Sequence, residues 1–342
     1  MKPSLLALAR ISAIAIALCS SAFVAPVQAD WTTIPLPPLA ATFSSYQMGH
    51  LPDGRLVYGS QNDLDRQSSF GSSTLLDYTT AGSWDPSDIA VFSDTLAVLG
   101  QGTFAASKLF RFDPSQIGTG FTEIAGGPLQ NYSLSFYDAA SLLVGGGNGT
   151  SGRHAILHVP LDGGARKILL DDISLYSGAF TLDLQGNLYV VDDDDLKLYK
   201  ILANELATAL ATSSPLTLNG RSALTTLAAD GSLAVDSLGR IWSAGYQFEG
   251  LDLFDPSSGT STRFLPENNP SVQDFYVVST FSSGSQSYVA YLNAEGPNAG
   301  ANLSYGYDQA TNLVPEPSAT TLALLAFAAG AAGTRRRAGK KA

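Results

Sequence analysis

Between residues 30 and 313 the chain is a succession of short apolar runs separated by Gly, Ser, Thr and Asp, and one phrase recurs: an apolar run, a tight polar turn, a second apolar run. Alternation of apolar and polar positions between such breaks predicts β-strands and leaves few helical stretches. The phrase is clearest in Leu51-Pro52-Asp53-Gly54-Arg55-Leu56-Val57-Tyr58, in Leu182-Asp183-Leu184-Gln185-Gly186-Asn187-Leu188-Tyr189-Val190 and in Val235-Asp236-Ser237-Leu238-Gly239-Arg240-Ile241-Trp242. Weaker copies run through 91–98, 136–144 and 277–291. With Leu56, Leu96, Leu142, Leu188, Ile241 and Tyr288 taken as equivalent, the intervals are 40, 46, 46, 53 and 47 residues, a period that suits a four-stranded propeller blade. The body is therefore expected to be all-β, a six-bladed β-propeller; a pair of β-sandwiches would not repeat six equivalent units.

A third strand in each unit is expected at 75–78, 109–112, 157–160, 196–199, 251–254 and 303–307, with one face in the core between blades and the other toward solvent or an edge. Fourth strands are expected at 121–124, 165–170 and 261–265. Only five residues separate Tyr307 from Leu313, so the last unit has no room for its own fourth strand. Trp31-Thr32-Thr33-Ile34-Pro35 has the right spacing to supply it, and docking there closes the ring and hides sheet edges that would otherwise aggregate.

The two ends of the chain follow other rules. Lys2 and Arg10 flank the start of an apolar run at 11–25, and Val27-Gln28-Ala29 puts small residues at the positions that determine cleavage. Residues 1–29 thus read as a signal helix cut between Ala29 and Asp30. At the other end Val314-Pro315-Glu316-Pro317 precedes an Ala/Leu-rich stretch at 318–334, followed by Arg335-Arg336-Arg337, Lys340 and Lys341. This order of motif, apolar helix and basic end resembles the PEP-CTERM sorting signal. The resemblance implies a single transmembrane sorting helix over 314–342 that anchors the exported chain transiently at the inner membrane. It also implies an exosortase as partner, which recognises and processes the tail before the protein reaches the cell surface or the outside. Clustered Arg and Lys beside an apolar helix independently favour a cytoplasmic basic end.

Charge and cysteine content narrow the body's chemistry. The one cysteine, Cys19, lies in the signal segment, so the mature chain has no disulfide and no cysteine-based zinc site. Without Lys2, Arg10, the five basic residues of the tail and Glu316, the 19 basic and 30 acidic residues fall to 12 and 29, a balance of −17. That balance argues against nucleic acid and anionic lipid as partners.

The phrase apolar-Asp-x-x-Gly-x-apolar-x-apolar resembles the NHL and SMP-30/gluconolactonase-like propellers. The lactonases of that group place a divalent metal in the central channel, on Glu, Asn and Asp from different blades. The corresponding first-strand positions here are Ala90, Phe136, Leu182 and Val235, with His50 the one polar residue among the first five units. Asp183 and Asp236, one residue further on, are the best candidate ligands if the inward register is shifted by one. The run Asp192-Asp193-Asp194-Asp195 offers hard oxygen donors for Ca²⁺ or another divalent cation through Asp192 and Asp194, but lacks the spacing of a calcium loop. His154 and His158, four apart on a strand, stand about 13 Å apart and cannot share an ion. No nucleophile elbow, zincin helix or phosphate loop occurs. Tyr46, Tyr132, Tyr176, Trp242 and Tyr246 are candidate binding residues, because aromatics stack on sugars and anchor interfaces. The leading expectation is an exosortase-sorted surface or matrix protein whose propeller binds a polysaccharide (an exopolysaccharide) or a protein. The alternative is a metal-dependent lactonase or hydrolase.

Overall fold

The recurring corner is set by a backbone requirement. Gly54, Gly186 and Gly239 have φ of 85°, 77° and 77°, a region glycine enters without steric cost. In each corner the glycine N–H donates to the carbonyl three residues earlier, on Leu51, Asp183 and Asp236, at 2.9 Å. The N–H of that same residue donates in turn to the carbonyls of Arg55, Asn187 and Arg240, at 2.8, 2.9 and 3.0 Å. A corner closed at both ends in this way reverses the chain within four residues and fixes the register of the two strands it joins.

The computed structural model describes residues 47–59, 64–70, 72, 75–77, 86–101, 107–116, 120–129, 131–147, 153–173, 179–228, 231–245, 251–264, 275–283, 286–293 and 302–308. They form six sheets, antiparallel except where one short strand adds in parallel to the third. The first holds β1 (Gln47–His50), β2 (Leu56–Gly59), β3 (Leu64–Gln67) and β4 (Leu75–Asp77); the second β5 (Pro86–Ser93), β6 (Leu96–Gln101), β7 (Ser107–Phe112) and β8 (Thr122–Leu129). The third holds β9 (Asn131–Asp138), β10 (Ser141–Gly146), β11 (Ala155–Pro160) and β12 (Lys167–Asp171). The fourth is β13 (Phe180–Leu182), β14 (Leu188–Asp192), β15 (Lys197–Ile201) and, after β16 (Leu216–Thr217), β17 (Thr225–Thr226). The fifth is β18 (Ser232–Val235), β19 (Ile241–Ala244), β20 (Leu251–Asp255) and β21 (Thr260–Phe264). The sixth shows three strands, β22 (Phe275–Ser283), β23 (Gln286–Asn293) and β24 (Asn302–Asp308). First strands touch in the cycle β1, β5, β9, β13, β18, β22 and back to β1, so the body is a β-propeller. Residues 31–35, the proposed closing strand, lie outside the described residues.

On the second strands β6 and β14 successive side chains are buried on both faces, each face against a different neighbour. Ala97 and Leu99 of β6 pack toward the first blade while Val98 packs toward the third. Leu188 and Val190 of β14 pack on the third blade, and Tyr189 and Val191 on the fifth. The solvent-facing side expected of the third strands is present in β7, where Lys108 and Arg111 are exposed between buried Ser107, Leu109 and Phe112, whereas in these second strands a neighbouring blade covers each face.

Two further corrections concern elements. The expected third strand of the first unit at 75–78 is instead its fourth strand, β4, and the third is Leu64–Gln67. The long interval of 53 residues is explained by an inserted helix, α1 (Ala203–Thr212), followed by β16, which adds in parallel to β12 of the preceding blade. The Glu205 carboxylate accepts the Leu202 N–H at 2.9 Å, and Asn187 Oδ1 accepts the Ala203 N–H at 3.1 Å, satisfying two donors at the helix start. The chain leaves α1 through Ser213 at φ 54°. No helix among the described residues is long and apolar enough to cross a membrane. The signal segment 1–29 and the tail 314–342 lie outside them.

Candidate functional site

Each first strand pairs on one side only, so its other edge faces the axis of the ring. Six such edges enclose a cavity of about 250 Å³ whose wall includes Met48, Asp88, Ser133, Thr181, Ser232 and Ser279. Several polar side chains bridge adjacent blades there. Asp88 Oδ2 accepts the Leu134 N–H of the third blade at 2.5 Å, while its Oδ1 accepts the Ile89 N–H at 2.8 Å. Ser232 Oγ accepts the Val278 N–H at 3.2 Å, and Thr280 Oγ1 donates to the Val235 carbonyl at 2.7 Å. His50 Nδ1 lies 2.8 Å from Ser279 Oγ, and the imidazole stacks on Phe281 at 5.7 Å. These contacts replace, side chain by side chain, the ladder that neighbouring first strands do not share.

Burial perturbs both titratable groups of this wall. It pushes the Asp88 carboxyl up to about 7 against the opposing effect of the Leu134 and Ile89 N–H groups. It lowers His50 to about 3, so the ring is neutral at ordinary pH. Asp88 went unnoticed in the sequence because nothing marks it except its place on a first strand, two residues before Ala90.

Ala90, Phe136 and Val235 border the channel, yet their side chains, like that of Leu182, pack in the clusters between blades. Inward or outward register is thus the wrong question for a first strand: its edge faces the axis and its side chains face the two neighbouring blades. Asp183 and Asp236 are corner residues. Asp183 Oδ1 accepts the N–H groups of Gln185 and Asn187 at 2.9 and 2.8 Å, and its Oδ2 accepts Asn187 Nδ2 at 2.8 Å. Asp236 Oδ1 accepts the N–H groups of Leu238 and Arg240 at 2.9 and 3.0 Å. Its Oδ2 accepts Arg240 Nε at 2.7 Å and Trp242 Nε1 at 3.2 Å. Carboxylates so fully engaged do not fit a shared metal. Among the described residues no group of three or more His, Cys, Asp or Glu is placed to hold an ion.

The remaining candidates sort as follows. The acidic run finds its cation within the chain: Arg153 pairs with Asp194 and, at 2.9 Å, with Asp172, while Lys197 pairs with Asp195. Burial raises Asp192, its acidic neighbours Asp195 and Asp194 add to the rise, and the Asp194 N–H opposes it. Trp242 is fully buried beside Asp236, which removes it from any surface contact. Tyr132 lies in β9. His154 precedes β11 and is buried, whereas His158 lies within it, edge-on to Tyr137 at 5.6 Å. Tyr46, Tyr176 and Tyr246 lie outside the described residues, as do Ala29, Asp30, Val314, Pro315, Glu316, Pro317, Arg335, Arg336 and Arg337. At the corner end the channel opens into a mouth of about 390 Å³ bordered by His50, Pro52, Phe92, Leu184, Ser237 and Phe281. Sequence reasoning missed this mouth; its signal is an apolar residue at a turn position where polar residues suffice, as in Asp183-Leu184-Gln185-Gly186.

No protein-family model matches the chain. No curated protein matches it either. Solved structures do. The calcium-binding protein regucalcin of Agrobacterium tumefaciens superposes with a TM-score of 0.57 at 14% identity, over 82% of this chain and 94% of that one. A gluconolactonase of Xanthomonas campestris gives 0.53 at 14% identity, over 82% and 96%. A PQQ-bound aldose sugar dehydrogenase of Streptomyces coelicolor gives 0.54 at 15% identity, over 83% and 99%. At such identities the likeness establishes the propeller fold and nothing of the chemistry.

Proposed function

We propose that the chain is an exported, exosortase-sorted surface or matrix protein whose six-bladed propeller, closed by residues 31–35, binds a polysaccharide or a protein. One observation carries binding over hydrolysis: the polar side chains on the first strands and corners hold the propeller together. Asp183 and Asp236 build corners, and Asp88, Ser232, Thr280 and His50 join blades. A hydrolytic metal needs several converging donors that are free to take it. The terminal signals support export, through Ala29-Asp30 and through Pro315-Glu316-Pro317 with its apolar and basic sequel.

A hydrolase of the lactonase kind is the second reading, favoured by Asp88, a carboxyl in the channel wall poised near neutrality. The two readings separate in one experiment on the purified full chain. Lactone and phosphoester hydrolysis is followed with Ca²⁺, Mn²⁺ or Zn²⁺ added, alongside Asp88→Asn, and metal content is measured by elemental analysis. Binding predicts substoichiometric metal and no turnover above buffer. Turnover abolished by Asp88→Asn establishes the hydrolase.

A further inference from the structure

One end of the propeller is apolar where turns are ordinarily polar. All six first strands run toward it, and residues at the ends of five of them, in the first, second, fourth, fifth and sixth blades, border the mouth of about 390 Å³. Leu184 and Leu238 stand in two of these corners, 82% and 60% exposed. Phe92, next to the last residue of the second blade's first strand, is also exposed. Phe70 follows β3 and touches Phe281 and Tyr288 at 5.8 and 5.1 Å, while Leu202 follows Ile201, the register partner of Leu188 at the start of β14. Five of the six large apolar side chains exposed among the described residues are therefore at this end; the sixth is Leu224. An exposed leucine at a turn tip contributes nothing to a corner already closed by Asp and Gly, and a ring of such residues marks a surface that meets something apolar.

The direction of the chain says what it meets. Ser282 pairs with Ser287, and Ser287 with Asp308, so the chain leaves β24 at this same end. Nine residues, 309–317, then lead to the apolar stretch 318–334. Nine extended residues span at most roughly 30 Å. A body tethered that closely to a crossing segment has its corner end within reach of the bilayer.

We propose that the corner end rests on the outer surface of the membrane crossed by residues 318–334, with Phe92, Leu184, Leu202 and Leu238 entering the lipid interface. The inference rests on the reading of 318–334 as a membrane segment. Charge selects the lipid: Asp53, Asp94 and Asp138 are exposed beside the apolar ring, and the body carries −17, so an anionic surface repels it. A zwitterionic surface presents ammonium groups to those carboxylates and hydrocarbon to the leucines. While the tail is attached the channel mouth is covered, and removal of the tail uncovers it.

The test uses the full chain with Cys19→Ser, which removes its sole cysteine, and single probes at Leu184→Cys, Leu238→Cys or, as control, Lys108→Cys. Lys108 pairs with Gln101 at the opposite end of the second blade. Each variant carries a polarity-sensitive fluorophore and is reconstituted into phosphatidylcholine vesicles containing a nitroxide-labelled lipid. The expected result is blue-shifted emission at 184 and 238, quenched several-fold more than at 108. Chains that float with the vesicles while all three probes report water overturn the inference and leave the tail reading intact. Chains that do not float overturn the tail reading and the inference with it. A blue shift without nitroxide quenching assigns the surface to a second copy of the chain and overturns the lipid assignment.

Discussion

Asp88 and His50 pull stability in opposite directions with pH. Asp88 rises on folding from 3.8 to about 7, so the folded state holds a proton that the unfolded chain has released. Its contribution is present below about 4 and is lost as pH climbs toward 7. His50 falls from 6.5 to about 3, so its contribution is present above 6.5 and is lost as pH falls toward 3. Between about 4 and 6.5 the two slopes nearly cancel. Asp88→Asn is expected to remove one of them, giving a melting temperature that rises with pH across this window, and raised relative to the parent at pH 8. Thermal unfolding from pH 4 to 8 checks this; parallel curves for the two proteins would contradict it. At Asp236 the expected loss is larger. Replacement by alanine removes the carboxylate that accepts from the half-buried Arg240 and from the buried Trp242 Nε1 and costs about 3 kcal/mol in urea unfolding, whereas Asp53→Ala, at an exposed pair, costs under about 1 kcal/mol. The Asp-x-x-Gly spacing makes Asp183 and Asp236 legible as special positions. What it leaves open is the acceptor's partner, because a carboxylate that closes a corner and one that binds a metal have the same sequence. Asp88 is illegible for another reason, since its partner, Leu134, is 46 residues away.

At the scale of elements, the corners and the strands they join were readable because local rules set them: a glycine at positive φ and alternating apolar residues. The first unit's third strand, Leu64–Gln67, escaped notice because its sequence is Leu-Asp-Arg-Gln. Arg66 and Gln67 are nonetheless buried, Arg66 Nη1 donating across to the Pro114 carbonyl of the second blade at 2.5 Å and Gln67 Oε1 accepting the Leu56 N–H of its own blade at 2.9 Å. Helix α1 was likewise missed: its N-cap is Leu202, not a Ser, Thr, Asp or Asn, and one of its two capped donors is met by Asn187, a corner residue sixteen positions earlier. Asn187→Ala removes both the cap and the bond to Asp183, and is expected to cost about 1 kcal/mol and to lower helical circular dichroism. The closing strand makes a separate prediction. If residues 31–35 close the ring as proposed, removing residues 30–40 opens the edge of β24, and the expected result is a lower melting temperature and aggregation seen by light scattering. Unchanged solubility and melting temperature would place the closure elsewhere.

At the scale of the molecule, the ring explains why a repeat with little sequence identity between copies still specifies one architecture. Each blade needs only apolar residues at alternate positions on both faces, and a corner. The same economy makes the function hard to read from the body, since structural neighbours with the same ring bind calcium, act on a lactone or hold PQQ. The ends of the chain are more explicit. On the reading proposed above, residues 1–29 and 314–342 direct passage across a membrane, retention and processing, and the corner end of the propeller, from which the chain departs, carries apolar residues that suit such a setting. The claim on which the rest depends is export with removal of both ends, and intact-mass spectrometry of the protein recovered from the surface of its native cells measures it. The account predicts a chain beginning at Asp30 and lacking Arg335 to Lys341; a surface protein that retains the signal segment or the basic tail would contradict it.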